Sequence, residues 1–171
     1  AVFPILHGRF GEDGTVQGLM ELANIPIIGC GTCASALCMD KLRAHQLVAS
    51  QGICTPRTLA LQAPLDAKQI ARFACSVGYP LFVKPLRAGS SFGVTRVEDP
   101  ALLPDAIGLA FEYDSTVLLE EAIPGFEVGC AIIGNRQLLA GRVDEIELQG
   151  GFFDFTQKYT LSQAKIHMPA R

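Results

Sequence analysis

Lys84 closes an apolar run, Leu81-Phe82-Val83, and a small-residue loop follows it in Pro85-Leu86-Arg87-Ala88-Gly89-Ser90-Ser91-Phe92-Gly93-Val94. That spacing suits an anion. Gly89 and Gly93 let the backbone approach a ligand closely. Ser90, Ser91 and successive backbone N–H groups can cradle phosphate oxygens, and Lys84 supplies a positive point charge. A Gly-Ser loop that merely turns a hairpin has the same composition, so both readings stay open. The segment is not a Walker P-loop, in which the lysine follows the glycines.

Three further segments carry chemistry. HGRFGEDG at 7–14 follows an apolar run and opens a helix, and ligands of α/β sheets favour such carboxyl-end crevices. There His7 and Glu12 could hold a substrate ammonium group, while Asp13 is expected to cap the helix; a satisfied turn is the plain alternative. In LLEEAIPGFE at 118–127, carboxylates beside an apolar stretch suit an adenine slot with a ribose-binding acid, although two acids at a strand end are often just solvated. In GGFFDFTQKY at 150–159, glycines and aromatics suit either a mobile lid that excludes water or a hairpin tip.

Apolar strands and amphipathic helices alternate to position these segments. Strands are expected at 1–6, 25–28, 57–61, 81–83, 117–119, 127–133 and 137–143, with Gly134-Asn135 turning the last hairpin. Val16, Leu19, Met20 and Ala23 mark one helix face; Ile70, Phe73, Ala74 and Val77 mark a second, stopped by Gly78; Leu103, Ile107, Ala110 and Phe111 mark a third. Asp40 is expected to cap a helix running to about Gln51, with Gly52 as its stop. Residues 144–165 read as a polar loop, with a strand resuming at 166–168. A boundary is expected near residues 49–55.

The 171 residues are nearly half hydrophobic and carry a net charge of −3, which describes a soluble protein with no basic face for nucleic acid. No apolar run approaches the ~20 residues of a membrane helix. Cys30 and Cys33 have redox or zinc spacing, but no second close pair or His partner follows. The six cysteines read as buried thiols in a reducing cytoplasm. The chain starts at Ala1 inside an apolar run and stops at Pro169-Ala170-Arg171, so both ends are expected to be cuts in a longer sequence.

Taken together, the segments resemble the D-alanine–D-alanine ligases of the ATP-grasp group. The matching stretches are HGRFGEDG, Ala34-Ser35-Ala36 through Met39-Asp40-Lys41, VKPLRAGSSFGV at 83–94, LLEEAIPGFEVG at 118–129 and GGFFDFTQKY. They lie in the family's order and cover essentially the whole chain. The stretches at 125–130 and 143–148 look like the vancomycin-resistance ligases, and the lid looks like their D-alanine–D-serine type.

The resemblance implies an α/β (α+β ATP-grasp) fold. A partial N-terminal substrate-binding α/β domain would span 1–50. A central ATP-grasp domain with a mixed or antiparallel sheet and a lid loop would span 51–171. It also implies a reaction: ATP phosphorylates the carboxylate of D-alanine, and the amine of a second small D-amino acid attacks the acyl phosphate, giving a dipeptide for peptidoglycan.

By the same resemblance, Lys41 and Lys84 would contact ATP phosphates and Ser91 would cover them. Glu120, Ala122 and Ile123 would line the adenine site, with Glu127 on the ribose. Glu12 would anchor the first D-alanine and His7 would sit beside the second substrate. Ser90 and Tyr159 would latch the lid, with Lys158 reaching a phosphate. The family's Mg²⁺ ligands would fall in a later segment outside this chain, so the chain by itself is expected to be inactive. A cytoplasmic homodimer is implied for the complete enzyme. Another ATP-grasp carboxylate–amine ligase, a non-catalytic nucleotide-binding module and a thiol redox protein are the alternatives.

Overall fold

A computed structural model describes residues 1–148 and 164–171 of the protein. They divide into two units, Ala1–Ala122 and Ile123–Arg171. The expected boundary near residue 50 falls inside the first of these.

The first unit begins with three helices, α1 (Thr15–Leu22), α2 (Thr32–Met39) and α3 (Lys41–Ser50). As its sequence anticipates, Asp40 caps α3, its side chain accepting from the Arg43 N–H at 3.0 Å. After these come β1 (Thr58–Leu61), α4 (Ala67–Val77), β2 (Leu81–Pro85), β3 (Thr95–Val97), a 3-10 turn at Pro100–Leu102, α5 (Leu103–Phe111) and β4 (Val117–Glu121). Gly78 ends α4 with a φ of 76°, a conformation glycine adopts without a Cβ penalty.

The four strands form one antiparallel sheet in the order β1-β4-β2-β3. Period-two alternation splits it into two faces. Leu61, Leu81, Val83, Val97, Val117 and Leu119 point to one side and form the core with Ala74 of α4 and Leu103, Ala106, Ile107 and Ala110 of α5. Fully burying each large aliphatic side chain there contributes ~1.5–3 kcal/mol. Phe82, Lys84, Leu118 and Glu120 project from the opposite side, because Lys84 pairs with Leu118 and Phe82 with Glu120 across the β2–β4 ladder. Burial of Leu118 and Glu120 shows that this second face is covered as well.

The second unit is an antiparallel sheet of β5 (Glu127–Gly134), β6 (Leu138–Leu148) and β7 (Ala164–His167), in the order β5-β6-β7. The β5–β6 register shifts between Cys130 and Ile132. Glu145 and Glu147 fall on one face of β6. Arg171 pairs with both, and His167 lies 2.6 Å from Glu147.

Several sequence expectations give way. Residues 1–6 and 25–28 form only an isolated parallel bridge, Val2 with Ile27. Val2 donates to the Pro26 carbonyl and accepts from Ile28, but Pro4 and Pro26 have no N–H to extend a ladder. Residues 144–148 continue β6 instead of opening a loop, and Glu145-Ile146-Glu147-Leu148 alternates with the period of a strand. Helix α2 was not anticipated; its mixed, small-residue sequence has little amphipathic pattern. The six cysteines are exposed and free, not buried. Leu19 and Leu22 of α1 are also exposed, and it is Gln17 that the helix buries.

Candidate functional site

Glu120 lies on the covered face of β4 with its side chain only 6% exposed, and one of its oxygens pairs with the Lys84 ammonium. The pairing is diagonal across β2 and β4, one step from the direct partner of each residue. Lys84 Nζ also stands 5.1 Å from the centroid of the Phe82 ring. His45 approaches Glu120 from α3, with its Nδ1 3.9 Å from the second carboxylate oxygen.

One turn before His45, Lys41 projects from the same side of α3. Its ammonium donates to the carbonyls of Ala88 at 2.8 Å and Leu86 at 3.3 Å, which tethers the start of the small-residue loop to the helix. Inside the loop, Ser90 and Ser91 both adopt positive φ, 50° and 59°, and Gly93 follows at 65°. Turns bonded from Phe92 to Gly89 and from Val94 to Ser91 hold that path. A Cβ on Gly93 would meet the Tyr113 ring at 2.6 Å and Pro85 at 2.9 Å, so both its φ and its surroundings require glycine.

The HGRFGEDG turn comes up against this loop. A Cβ on Gly89 would lie 2.7 Å from the Gly8 Cα and 3.3 Å from a Glu12 carboxylate oxygen. That same oxygen accepts from the Gly8 N–H at 2.5 Å, so Glu12 closes its own turn. Asp13 accepts from the Phe10 and Thr15 N–H groups. The residue at the helix cap is Gly14, so Asp13 acts one position earlier than expected. Burial pushes the Asp13 carboxyl up, but these hydrogen bonds outweigh it and hold the group below the usual carboxylate value.

Arg87 anchors the base of the loop. Its backbone N–H and guanidinium all donate to Asp114, whose side chain is 8% exposed. Burial raises the Asp114 carboxyl, and Arg87 together with the Thr116 N–H brings it below its ordinary value. A carboxylate depressed in the folded state adds stability above its unfolded value near pH ~4 and loses that contribution as the pH falls through the folded value. Because Arg87 is half exposed, solvent weakens the pair. Asp114→Asn is therefore expected to cost only ~1–2 kcal/mol at neutral pH. Chemical denaturation from pH 7 down to pH 3 checks this, the difference between the two proteins shrinking at the acid end.

Of the residues singled out from sequence, Lys41, Lys84, Glu120 and the loop bearing Ser90 and Ser91 thus lie along one face of the first unit. Glu12 meets that loop, and His7 immediately precedes the contacting Gly8. Ala122 ends that unit, while Ile123 and Glu127 belong to the second, where Glu127 pairs with Ile146 across the sheet. Lys158 and Tyr159 lie outside the described residues, as does the 150–159 segment. Among the described residues no three His, Cys, Asp or Glu side chains are grouped to hold a metal ion. No helix among them is long and apolar enough to cross a membrane.

Sequence reasoning missed His45, Asp114 and Arg87. The i, i+4 spacing of Lys41 and His45 could have flagged the first. Nothing local announces that Arg87 meets a residue 27 positions away.

The family model described as the D-ala D-ala ligase C-terminus matches residues 47–171, and the corresponding N-terminus model matches residues 1–30. The chain belongs to the D-alanine–D-alanine ligase family. Within that family it is 51% identical, over 99% of its length and 50% of the relative's, to the vancomycin C-type resistance protein VanC1 of Enterococcus gallinarum. It is 42% identical to a D-alanine–D-alanine ligase of Chlorobium limicola, over 99% of this chain and 48% of that one. Among solved structures, the VanG D-Ala:D-Ser ligase of Enterococcus faecalis matches with a TM-score of 0.88 and 56% identity, covering 99% of this chain and 50% of that one. The chain spans about half the length of the curated relatives it matches. This ligase-family chain is mixed α/β with antiparallel sheets, in keeping with part of an ATP-grasp fold.

Proposed function

We propose that the protein is an ATP-dependent ligase that activates the carboxylate of D-alanine as an acyl phosphate and passes it to the amine of a second D-alanine or of D-serine. The dipeptide would serve peptidoglycan synthesis, with vancomycin resistance as the consequence where D-serine is used. The observation that carries this reading is the contact between the Gly-Ser loop and the HGRFGEDG turn, at Gly89 against Gly8 and Glu12. A phosphate-binding loop that touches an ammonium-binding turn puts a nucleotide's terminal phosphate within reach of an amino acid's carboxylate. Positioning and charge stabilisation are what such a transfer needs.

In this reading Lys84 and Lys41 face the phosphates and Ser91 covers them. Glu120, Ala122 and Ile123 line the base, and Glu127 holds the ribose. Glu12 takes the first D-alanine's ammonium group and His7 stands beside the second substrate. Ser90 and Tyr159 latch a lid from which Lys158 reaches a phosphate. Residues 1–50 belong to the substrate-binding part and 51–171 to the nucleotide-binding part of a cytoplasmic homodimer that also requires Mg²⁺. Likeness to a D-Ala:D-Ser ligase favours D-serine as the second substrate. Phosphate release by the complete enzyme that carries this chain, with ATP, D-alanine and each of D-alanine, D-serine and D-lactate, tests it. D-serine is expected to give the fastest release, and the absence of any D-alanine-dependent release overturns the reading.

A further inference from the structure

Gln17 is 6% exposed, a polar side chain where a helix ordinarily buries an apolar one. It stands three residues past Gly14, the residue at the cap of α1. A glutamine at that position commonly closes a capping box, its side-chain oxygen accepting from the cap's own N–H. Gln17 does not. Its Oε1 is buried without a partner, while its Nε2 donates at 2.9 Å to the carbonyl of Gly11, three residues before the cap. The reverse orientation of the amide would set two acceptors against each other, so the nitrogen must face Gly11.

This arrangement adds little to stability. The amide satisfies the carbonyl of a buried glycine but leaves its own oxygen bare. The two effects are similar in size and opposite in sign. An apolar side chain of the same shape would merely exchange one bare acceptor for another. What the amide does supply is a fixed direction for the peptide that joins Gly11 to Glu12.

That direction needs fixing, because the turn is strained. Phe10, just before Gly11, has a φ of 68°, which a bulky residue rarely adopts. Such conformations persist only where neighbouring groups over-determine them. Here the Gly11 and Glu12 N–H groups both donate to the Gly8 carbonyl, at 3.2 and 2.9 Å. Leu6 packs so closely that a Cβ on Gly11 would lie 2.6 Å from the Leu6 Cβ. Gln17 holds the remaining group, the Gly11 carbonyl. The next residue is Glu12, whose carboxylate lies against Gly8 and the position of Gly89.

We infer that Gln17 is a positioning residue for the first amino-acid substrate: its amide fixes the peptide that presents the Glu12 carboxylate, and thereby sets the affinity for the substrate's ammonium group. The inference rests on the role proposed above for Glu12.

Steady-state phosphate release by the complete enzyme that carries this chain, with D-alanine varied at saturating ATP and D-serine, tests it. Gln17→Met keeps the length of the side chain and removes the N–H donor. Its KM for D-alanine is expected to rise about tenfold, with kcat and the KM for ATP within about twofold of wild type, because a loosened ammonium site weakens ground state and transition state alike. Its Tm is expected to stay within about 2 °C. Gln17→Ala, which cannot overfill the site, keeps the test alive if Gln17→Met does not fold. Glu12→Gln is expected to raise the same KM at least as far. Because Gln17 acts through Glu12, the double variant should be no worse than Glu12→Gln alone. A Gln17 variant with a lower Tm and kcat but an unchanged KM for D-alanine, or a double variant whose KM effects multiply, overturns the positioning role and leaves Glu12 in place. A wild-type KM in Glu12→Gln overturns the role of Glu12 and the inference with it.

Discussion

Lys84→Met is expected to lower kcat/KM for D-alanine-dependent phosphate release by ~10²–10³, the usual cost of deleting one preorganised charge from a transferring group's surroundings. It should also destabilise the protein, which separates this lysine from a purely surface cation. Glu120 would be left buried without its partner. Removing one member of a buried pair costs ~3–5 kcal/mol, and the partial exposure of Lys84, 21% of its side chain, places the expectation at the low end of that range.

The double replacement Lys84→Met with Glu120→Gln distinguishes the two roles. A neutral amide no longer needs a cation, so much of the stability should return, whereas activity should not. Thermal unfolding and steady-state kinetics on the three variants provide the comparison. An unchanged Tm in the single variant would mean that the ion pair adds nothing to the fold. Unchanged kinetics would remove Lys84 from the site.

Gly89→Ala produces the second large effect, by a different route. The new methyl would sit 2.7 Å from the Gly8 Cα and 3.2 Å from the Gly8 nitrogen. Both are backbone atoms, and no side chain can rotate out of the way. The loop and the HGRFGEDG turn must separate by about 1 Å to restore ordinary van der Waals contact. A misplacement of that size can cost about 10²-fold in rate when two reacting groups are held by the two segments. The stability cost is smaller, ~1–3 kcal/mol, as for other overpacked sites. Gly108→Ala serves as the control. Its Cβ meets nothing within 4 Å and it lies inside α5, so it should leave the rate unchanged and raise stability by ~0.5–1 kcal/mol. A Gly89→Ala enzyme with wild-type kcat/KM would show that the contact between loop and turn is not used.

Local sequence determined much of the first unit. The cap at Asp40, the stop at Gly78, the 3.6-residue spacing of α4 and α5 and the apolar runs of β2 and β4 depend on interactions within a few residues, and each is legible there. The sequence also supplied the family, because five motifs stand in a fixed order along the chain. Pairing was not legible. That residues 1–6 keep only one bridge depends on what lies beside that segment, which periodicity does not record. The exposure of the cysteines is likewise a property of packing and not of residue type.

The same division holds at the site. Residue types and order pointed to Lys41, Lys84 and the Gly-Ser loop, since an anion calls for cations and an open backbone wherever the chain folds. Only the tertiary structure decided that Lys84 is shared with a buried glutamate, that Arg87 is tied to Asp114, and that His45 stands opposite an unpartnered carboxylate oxygen. Each depends on segments distant in sequence being brought together, Lys84 and Glu120 by the β2–β4 register and His45 by the approach of its side chain from α3. In a low-dielectric interior, that meeting sets which charges are satisfied and which remain available for chemistry.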